Sequence, residues 1–193
     1  CMGGCPMGGY GWGAVREDEL TAAVHSALEN GVTFFDTADT YGLGQSERTL
    51  GKALGSHRHE VVIGDKFGVR VEGGRTFYDN SIQWMESALD NSLKRLGTDY
   101  LDVLVLHRPV ALADPEEVAE AFDQLQEQGK VGHFGVSNHN PGQILLLKKY
   151  VKQEILVDQL QFGLAHAGMI SSGMEANMMT QGAVDHDGGV LDF

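Results

Sequence analysis

The sequence predicts an α/β fold, a (β/α)8 TIM barrel of which about six β/α units are present in the 193 residues. Three observations lead there. Helical and strand patterns alternate strictly with short connections, which favours a parallel sheet. The inner part of one strand, Val103 to Leu106, is continuously apolar, as strands covered on both faces are. Asp36, Lys66, His107, Ser137, Asn138 and Gln159 fall at or near the C-terminal ends of consecutive strands. Polar groups arrayed around one rim are the pattern of a barrel site, whereas an open doubly wound sheet gathers its site at one switch point.

The elements follow in order. The first residues read as the end of a strand running into a Gly-rich loop. "GGYGWG" (8 to 13) has no complete strand before it, so it is read as a loop and not as a dinucleotide fingerprint. "EDELTAAVHSALENG" places Leu20, Ala23, Val24, Ala27 and Leu28 on one helical face, with Gly31 as its stop. "GVTFFDTAD" is a strand ending near Asp36, and "QSERTLGKALG" is a short helix. "EVVIGDKFG" is a strand with Val61, Val62 and Ile63 as its core and Lys66 at its end. "GVRVEGGRTF", with Arg70 and Arg75, reads as a loop. "NSIQWMESALDNSLKRLG" is a helix with Met85, Leu89, Leu93 and Leu96 as its buried stripe. The apolar strand "YLDVLVLHRP" ends at Pro109. In "DPEEVAEAFDQLQEQG", Asp114, Pro115 and Glu117 predict a capping box. "HFGVSN" is a strand, "NPGQILLLKKY" a helix capped by Asn140, and "ILVDQLQF" the last strand. Beyond Phe162 a Met- and Gly-rich stretch reads as a long loop with one short helix. There Met169, Met174, Met178 and Met179 serve as core filler or a mobile lid, and His166 is a candidate pocket residue.

A barrel typically takes about 250 residues. Residues 1–193 are therefore read as a single barrel domain, incomplete at both ends. The formal net charge of −13 argues against nucleic acid or an anionic membrane as a partner, since both need a basic footprint. No run approaches the roughly 18 apolar residues of a membrane span. No signal peptide is visible, which points to the cytoplasm. Cys1 and Cys5 read as free thiols. His57 and His59 lack a third ligand for a metal.

Asp36, Tyr41, Lys66 and His107 are chemically complementary. A phenol with a pKa near 10 is a poor acid–base catalyst at neutral pH. A nearby ammonium such as Lys66 favours the phenolate. Asp36 holds that ammonium charged and oriented, and His107 can hydrogen-bond a carbonyl oxygen from the other side. The set suits proton delivery to an oxygen that gains negative charge. Asp39 has no evident role beyond the loop.

The blocks "FFDTADTYGLGQSERTLGKAL", "DKFG", "LGTDYLDVLVLHRP", "GKVGHFGVSNHNPGQ" and "VDQLQF" resemble successive parts of the aldo-keto reductases, from near residue 1 to about residue 165. The bacterial branch whose second strand reads Phe-Phe-Asp-Thr-Ala is the most similar. The resemblance implies an NAD(P)H-dependent oxidoreductase that reduces an aldehyde or ketone, with NADP(H) in preference to NAD(H) and no metal. Tyr41 would be the proton donor, Lys66 and Asp36 would tune it, and His107 would orient a small-molecule carbonyl substrate. Ser137 and Asn138 would hold the nicotinamide carboxamide with Gln159 beside them. Asp36 and the loop of Gly4 and Cys5 would border the ring. Asp65 stands where the family usually has Thr before the Lys. The family's later cofactor-binding loops would lie beyond Phe193, leaving the whole catalytic set and half of the cofactor clamp. Two other classes stay open: a nicotinamide-binding sensor or subunit with little turnover, and a metal-dependent hydrolase built on Asp36, His107 and His139. The oligomeric state is not legible.

Overall fold

The computed structural model describes residues 1–165. In chain order the elements are β1 (Met2–Gly3), α1 (Glu17–Glu29), β2 (Phe34–Asp36), α2 (Gln45–Leu54), β3 (Val62–Phe67), β4 (Val69–Glu72), β5 (Arg75–Tyr78), α3 (Ile82–Leu96), β6 (Leu101–Leu106), α4 (Pro115–Glu127), β7 (Val131–Ser137), α5 (Pro141–Leu147) and β8 (Ile155–Gln159). Six of the strands form one parallel sheet in the order β1-β2-β3-β6-β7-β8. Spatial order follows chain order, with no reversal among the described strands. Right-handed crossovers then place every connecting helix on the same face. The helices pack in sequence: α1 on α2, α2 on α3, α3 on α4, and α4 on α5. This is a section of a (β/α)8 barrel wall, as the sequence predicts, and not an open doubly wound sheet.

Register sorts the side chains into two faces. Phe35, Ile63, Leu104 and Phe134 share the outer face and are buried under the helices, where Val24, Met85, Leu89, Phe122 and Leu125 meet them. Phe122 of α4 stacks on Phe134 of β7 with centroids 3.9 Å apart. The inner face carries Asp36, Gly64, Lys66, Val103, Val105, Gly135 and Ser137. The alternation of β-strand side chains thus delivers Asp36, Lys66 and Ser137 to one side of the wall.

Several expectations need correction. "GVRVEGGRTF" is not a loop. β4 and β5 pair antiparallel across Gly73 and Gly74, whose φ values of 56° and 75° suit a tight hairpin turn that other residues enter only with strain. Alternating Val69, Val71 and Thr76, Tyr78 around Gly-Gly was the available signal. Ala23 is exposed, so the buried side of α1 is narrower than its periodicity suggests. Val62 starts β3 on the inner face and is 37% exposed, so it is not core. The capping box at α4 does not form. Asp114 accepts from the Glu116 N–H, and Glu117 instead accepts from the N–H of Ile82 at the start of α3. A full capping box does form at α5, between Asn140 and Gln143. His166 and the Met-rich stretch lie outside the described residues. No described helix is long and apolar enough to cross a membrane.

Candidate active site

Lys66 is the centre of the site. It leaves β3 toward the inner face and is only 1% exposed. A buried ammonium is tolerable only when its three N–H groups are matched. Its Nζ donates to Asp36 Oδ1 at 2.6 Å, to the Thr37 carbonyl at 2.7 Å and to Tyr41 Oη at 3.3 Å. Asp36 ends β2, the neighbour of β3, so sheet pairing alone brings the carboxylate beside the ammonium. Lys66 Nζ also lies 4.9 Å from the centroid of the Tyr41 ring. His107 follows β6, the strand on the other side of β3, and meets Tyr41 edge to face with centroids 6.0 Å apart. All four predicted catalytic residues therefore converge.

The electrostatics refine the expectation for Tyr41. Its phenol is held above the usual value because burial outweighs the pull of Lys66, and the Asp36 carboxylate adds to the rise. The phenol is therefore protonated at neutral pH. Burial, with help from Lys66 and Arg108, holds His107 down at about 4. Its imidazole is neutral at pH 7, and its buried Nδ1 has no partner among the described residues.

The loop from Thr37 to Gly44 is fixed from below. Ser46 Oγ donates to the Gly4 carbonyl at 2.8 Å and lies 2.9 Å from Thr37 Oγ1. The turn at Cys5–Gly8 presses backbone against backbone on Tyr41 and Gly42. A Cβ on Gly42 would stand 2.2 Å from the Gly8 carbonyl oxygen, at a φ of 60°. Gly42→Ala is expected to cost about 1–3 kcal/mol through overpacking and backbone strain. The urea midpoint reads this, and an unchanged midpoint would disprove the tight approach. Gly4 is constrained as well, since a Cβ there would stand 2.7 Å from the Asp36 carbonyl oxygen. Cys5 is half-buried with a free thiol.

Ser137, Asn138 and Gln159 also form one group. Ser137 Oγ donates to the Gln159 carbonyl at 2.8 Å. Asn138 takes a left-handed φ of 61°. Its Nδ2 donates to the His107 carbonyl at 3.2 Å and to Ser137 Oγ at 2.9 Å. That ties the putting-together of the β7 end to the residue after β6. The Gln159 side chain is exposed. Elsewhere, His57 Nδ1 faces Glu60, His59 faces the Tyr100 hydroxyl, and His139 Nδ1 faces the Ser137 carbonyl. Among the described residues no three His, Cys, Asp or Glu groups are placed to hold a metal ion.

Sequence reasoning missed what lies behind Lys66. Glu47, fully buried on α2, accepts two hydrogen bonds from Arg95 of α3. Asp39 feels the charges of this pair, and its Oδ1 is buried without a partner among the described residues. Burial first, and then Glu47, raise Asp39 to about 7. A carboxyl raised in the folded state binds more protons there than in the unfolded chain, so its contribution to stability falls as pH rises from about 4 to about 7. Asp39→Asn is therefore expected to gain stability on the wild type between pH 5 and pH 8, by up to about 4 kcal/mol. Parallel pH profiles of the urea midpoint would refute this.

The chain matches the family model of the aldo/keto reductase family over residues 1–187. It is 35% identical over 152 residues to an uncharacterized oxidoreductase, YcsN, of Bacillus subtilis, covering 74% of this chain and 51% of that protein. It is 36% identical over 162 residues to the oxidoreductase YdhF of Escherichia coli, covering 80% and 54%. The chain thus spans about half the length of these curated relatives. Among solved structures it resembles a glycerol dehydrogenase from Gluconobacter oxydans, with a TM-score of 0.77 and 26% identity over 87% of this chain and 52% of that one. It also resembles an aldo-keto reductase from Klebsiella pneumoniae in complex with NADPH, with a TM-score of 0.73 and 29% identity over 87% and 55%. The match to the family model over residues 1–187, with this likeness in sequence and fold, leads to one conclusion: the chain belongs to the aldo/keto reductase family.

Proposed function

We propose that this chain carries the catalytic centre of an NAD(P)H-dependent oxidoreductase that reduces an aldehyde or ketone to an alcohol, with Tyr41 as the proton donor. The observation that carries the reading is the single ammonium of Lys66 bonded at once to Asp36, the Thr37 carbonyl and the Tyr41 hydroxyl. A protonated phenol is ready to give its proton to a carbonyl oxygen as negative charge develops there. The Lys66 ammonium, itself buried, then stabilises the phenolate left behind. Asp36 balances the buried charge and keeps the ammonium aimed. Neutral His107 donates one hydrogen bond to the substrate oxygen without competing as an acid. No metal is needed for this chemistry, because a side chain supplies the proton.

The donors at the β7 and β8 ends fit a nicotinamide. Asn138 spends its N–H groups within the protein, and no donor reaches its Oδ1 among the described residues. That oxygen can accept from the carboxamide, with the exposed Gln159 amide beside it and Ser137 holding the strand ends together. In this reading the Gly4 and Cys5 loop would border the ring. When bound, the cofactor supplies the hydride to the carbonyl carbon. NADP(H) is preferred over NAD(H) in this reading, supported by the Klebsiella relative described with NADPH. The test is an NADPH and NADH titration read on Trp12 and Trp84 fluorescence, followed by NADPH absorbance with an aromatic aldehyde. Saturable NADPH binding and aldehyde-dependent oxidation are expected. Binding without turnover would replace the reductase by a cofactor-binding sensor or subunit, and no binding by the folded chain would show that residues 1–193 alone do not hold the cofactor.

A further inference from the structure

Asp65 immediately precedes Lys66 but points to the opposite face of β3, under the helices, where it is 1% exposed. Its Oδ1 accepts from the Lys66 backbone N–H at 2.8 Å. Its Oδ2 is buried and has no hydrogen-bond partner among the described residues. The groups whose charge acts on this carboxyl are Glu47 of α2 and, after it, Asp39 from the loop after β2. Among the described residues Arg95 of α3 is the one cation bonded to this group, and both of its hydrogen bonds to carboxylate go to Glu47. Lys66 is turned to the inner face and is engaged by Asp36. Three carboxyl groups thus lie around one guanidinium, which among them bonds only Glu47. Two carboxylate oxygens cannot bond each other, but a carboxylic acid donates well to a carboxylate, and a carboxylate oxygen bonded by Arg keeps a second lone pair.

We propose that Asp65 is held in the folded chain as a neutral carboxylic acid that donates its proton to Glu47, and that this shared proton makes Asp65 a positioning residue for Lys66. One carboxyl group then bridges two elements. Oδ1 holds the Lys66 amide, and Oδ2–H ties β3 to the Glu47–Arg95 pair and so to α2 and α3. The direction of titration agrees, since burial first, then Glu47 and Asp39, raise the Asp65 acid well above its usual range. The significance of Lys66 rests on the reading under Proposed function; the protonation of Asp65 does not.

The test is the infrared difference spectrum of wild type minus Asp65→Asn, at about pH 8, where Asp39 is ionised. The expected result is a protonated-carboxyl carbonyl band present in the wild type and lost in the variant. Asp65→Thr, which keeps a short hydroxyl donor, provides the same subtraction should the Asn variant fold poorly. Hydrogen exchange then reads the positioning. Protection of the Lys66 amide is expected to survive in Asp65→Asn, which retains an acceptor for Lys66 and a donor for Glu47, and to fall at least about tenfold in Asp65→Ala. Absence of the difference band overturns the shared proton. Equal Lys66 protection in wild type and Asp65→Ala overturns the positioning role. Neither readout involves turnover, so failure of the reductase reading leaves both results standing.

Discussion

Tyr41→Phe is expected to lower carbonyl reduction by about 10²–10⁴-fold while leaving NADPH affinity nearly unchanged. The substitution removes one hydroxyl and keeps the ring. The ring's edge-to-face contact with His107 and its place beside the Lys66 ammonium both survive. The fold and the Ser137, Asn138 and Gln159 group are not touched. What is lost is the proton that Tyr41 would deliver under the proposed mechanism. Lys66 stays bonded to Asp36 and to the Thr37 carbonyl in the variant, so the charge of the site is kept. The result is read as kcat at saturating NADPH, with a fluorescence titration of cofactor on the same variant. Unchanged kcat would sink the assignment of Tyr41.

The second large effect lies behind the site. Arg95→Met is expected to destabilise the chain by about 3–5 kcal/mol, because it leaves the fully buried Glu47 charge uncompensated beside Asp39 and Asp65. The double substitution Arg95→Met with Glu47→Leu is expected to recover much of that loss, since a buried ion pair exchanged for apolar groups of similar volume is often near neutral. Urea unfolding of the wild type, the two single variants and the double variant measures the coupling. A loss below about 1 kcal/mol in Arg95→Met would show that the pair is solvated, contrary to its burial.

The two regions differed in how openly the sequence announced them. The proposed catalytic set was legible because Asp36, Lys66 and His107 sit at or just after strand ends, where alternation decides the face, and Tyr41 lies in the short loop that follows Asp36. Reading "FFD" as the end of a strand was enough to put Asp36 on the rim with Lys66 of the next strand. The hairpin of β4 and β5 was hidden because each strand has only four residues, too short for alternation to stand out beside the polar Arg70, Glu72 and Arg75. The capping box at α4 failed for a different reason. Asp114 and Glu117 satisfy the local rule, but Glu117 found a better donor in Ile82, a residue 35 positions away. Local propensity is a preference that one tertiary hydrogen bond can redirect.

The sequence by itself determined the alternating α/β order, the helices with their buried stripes, and the four groups that carry the proposed chemistry. These depend on periodicity and on strand ends, which are properties of neighbouring residues. The tertiary structure decided the rest. It decided that Lys66 is buried and triply bonded, and that burial holds Tyr41 as a phenol rather than letting Lys66 draw it toward phenolate. It also decided that Asp39, Glu47, Asp65 and Arg95 form one dry cluster. Such outcomes depend on desolvation and on charges that are distant along the chain and close in space. No pattern in a linear sequence encodes those distances; packing β3 against α2 and α3 creates them.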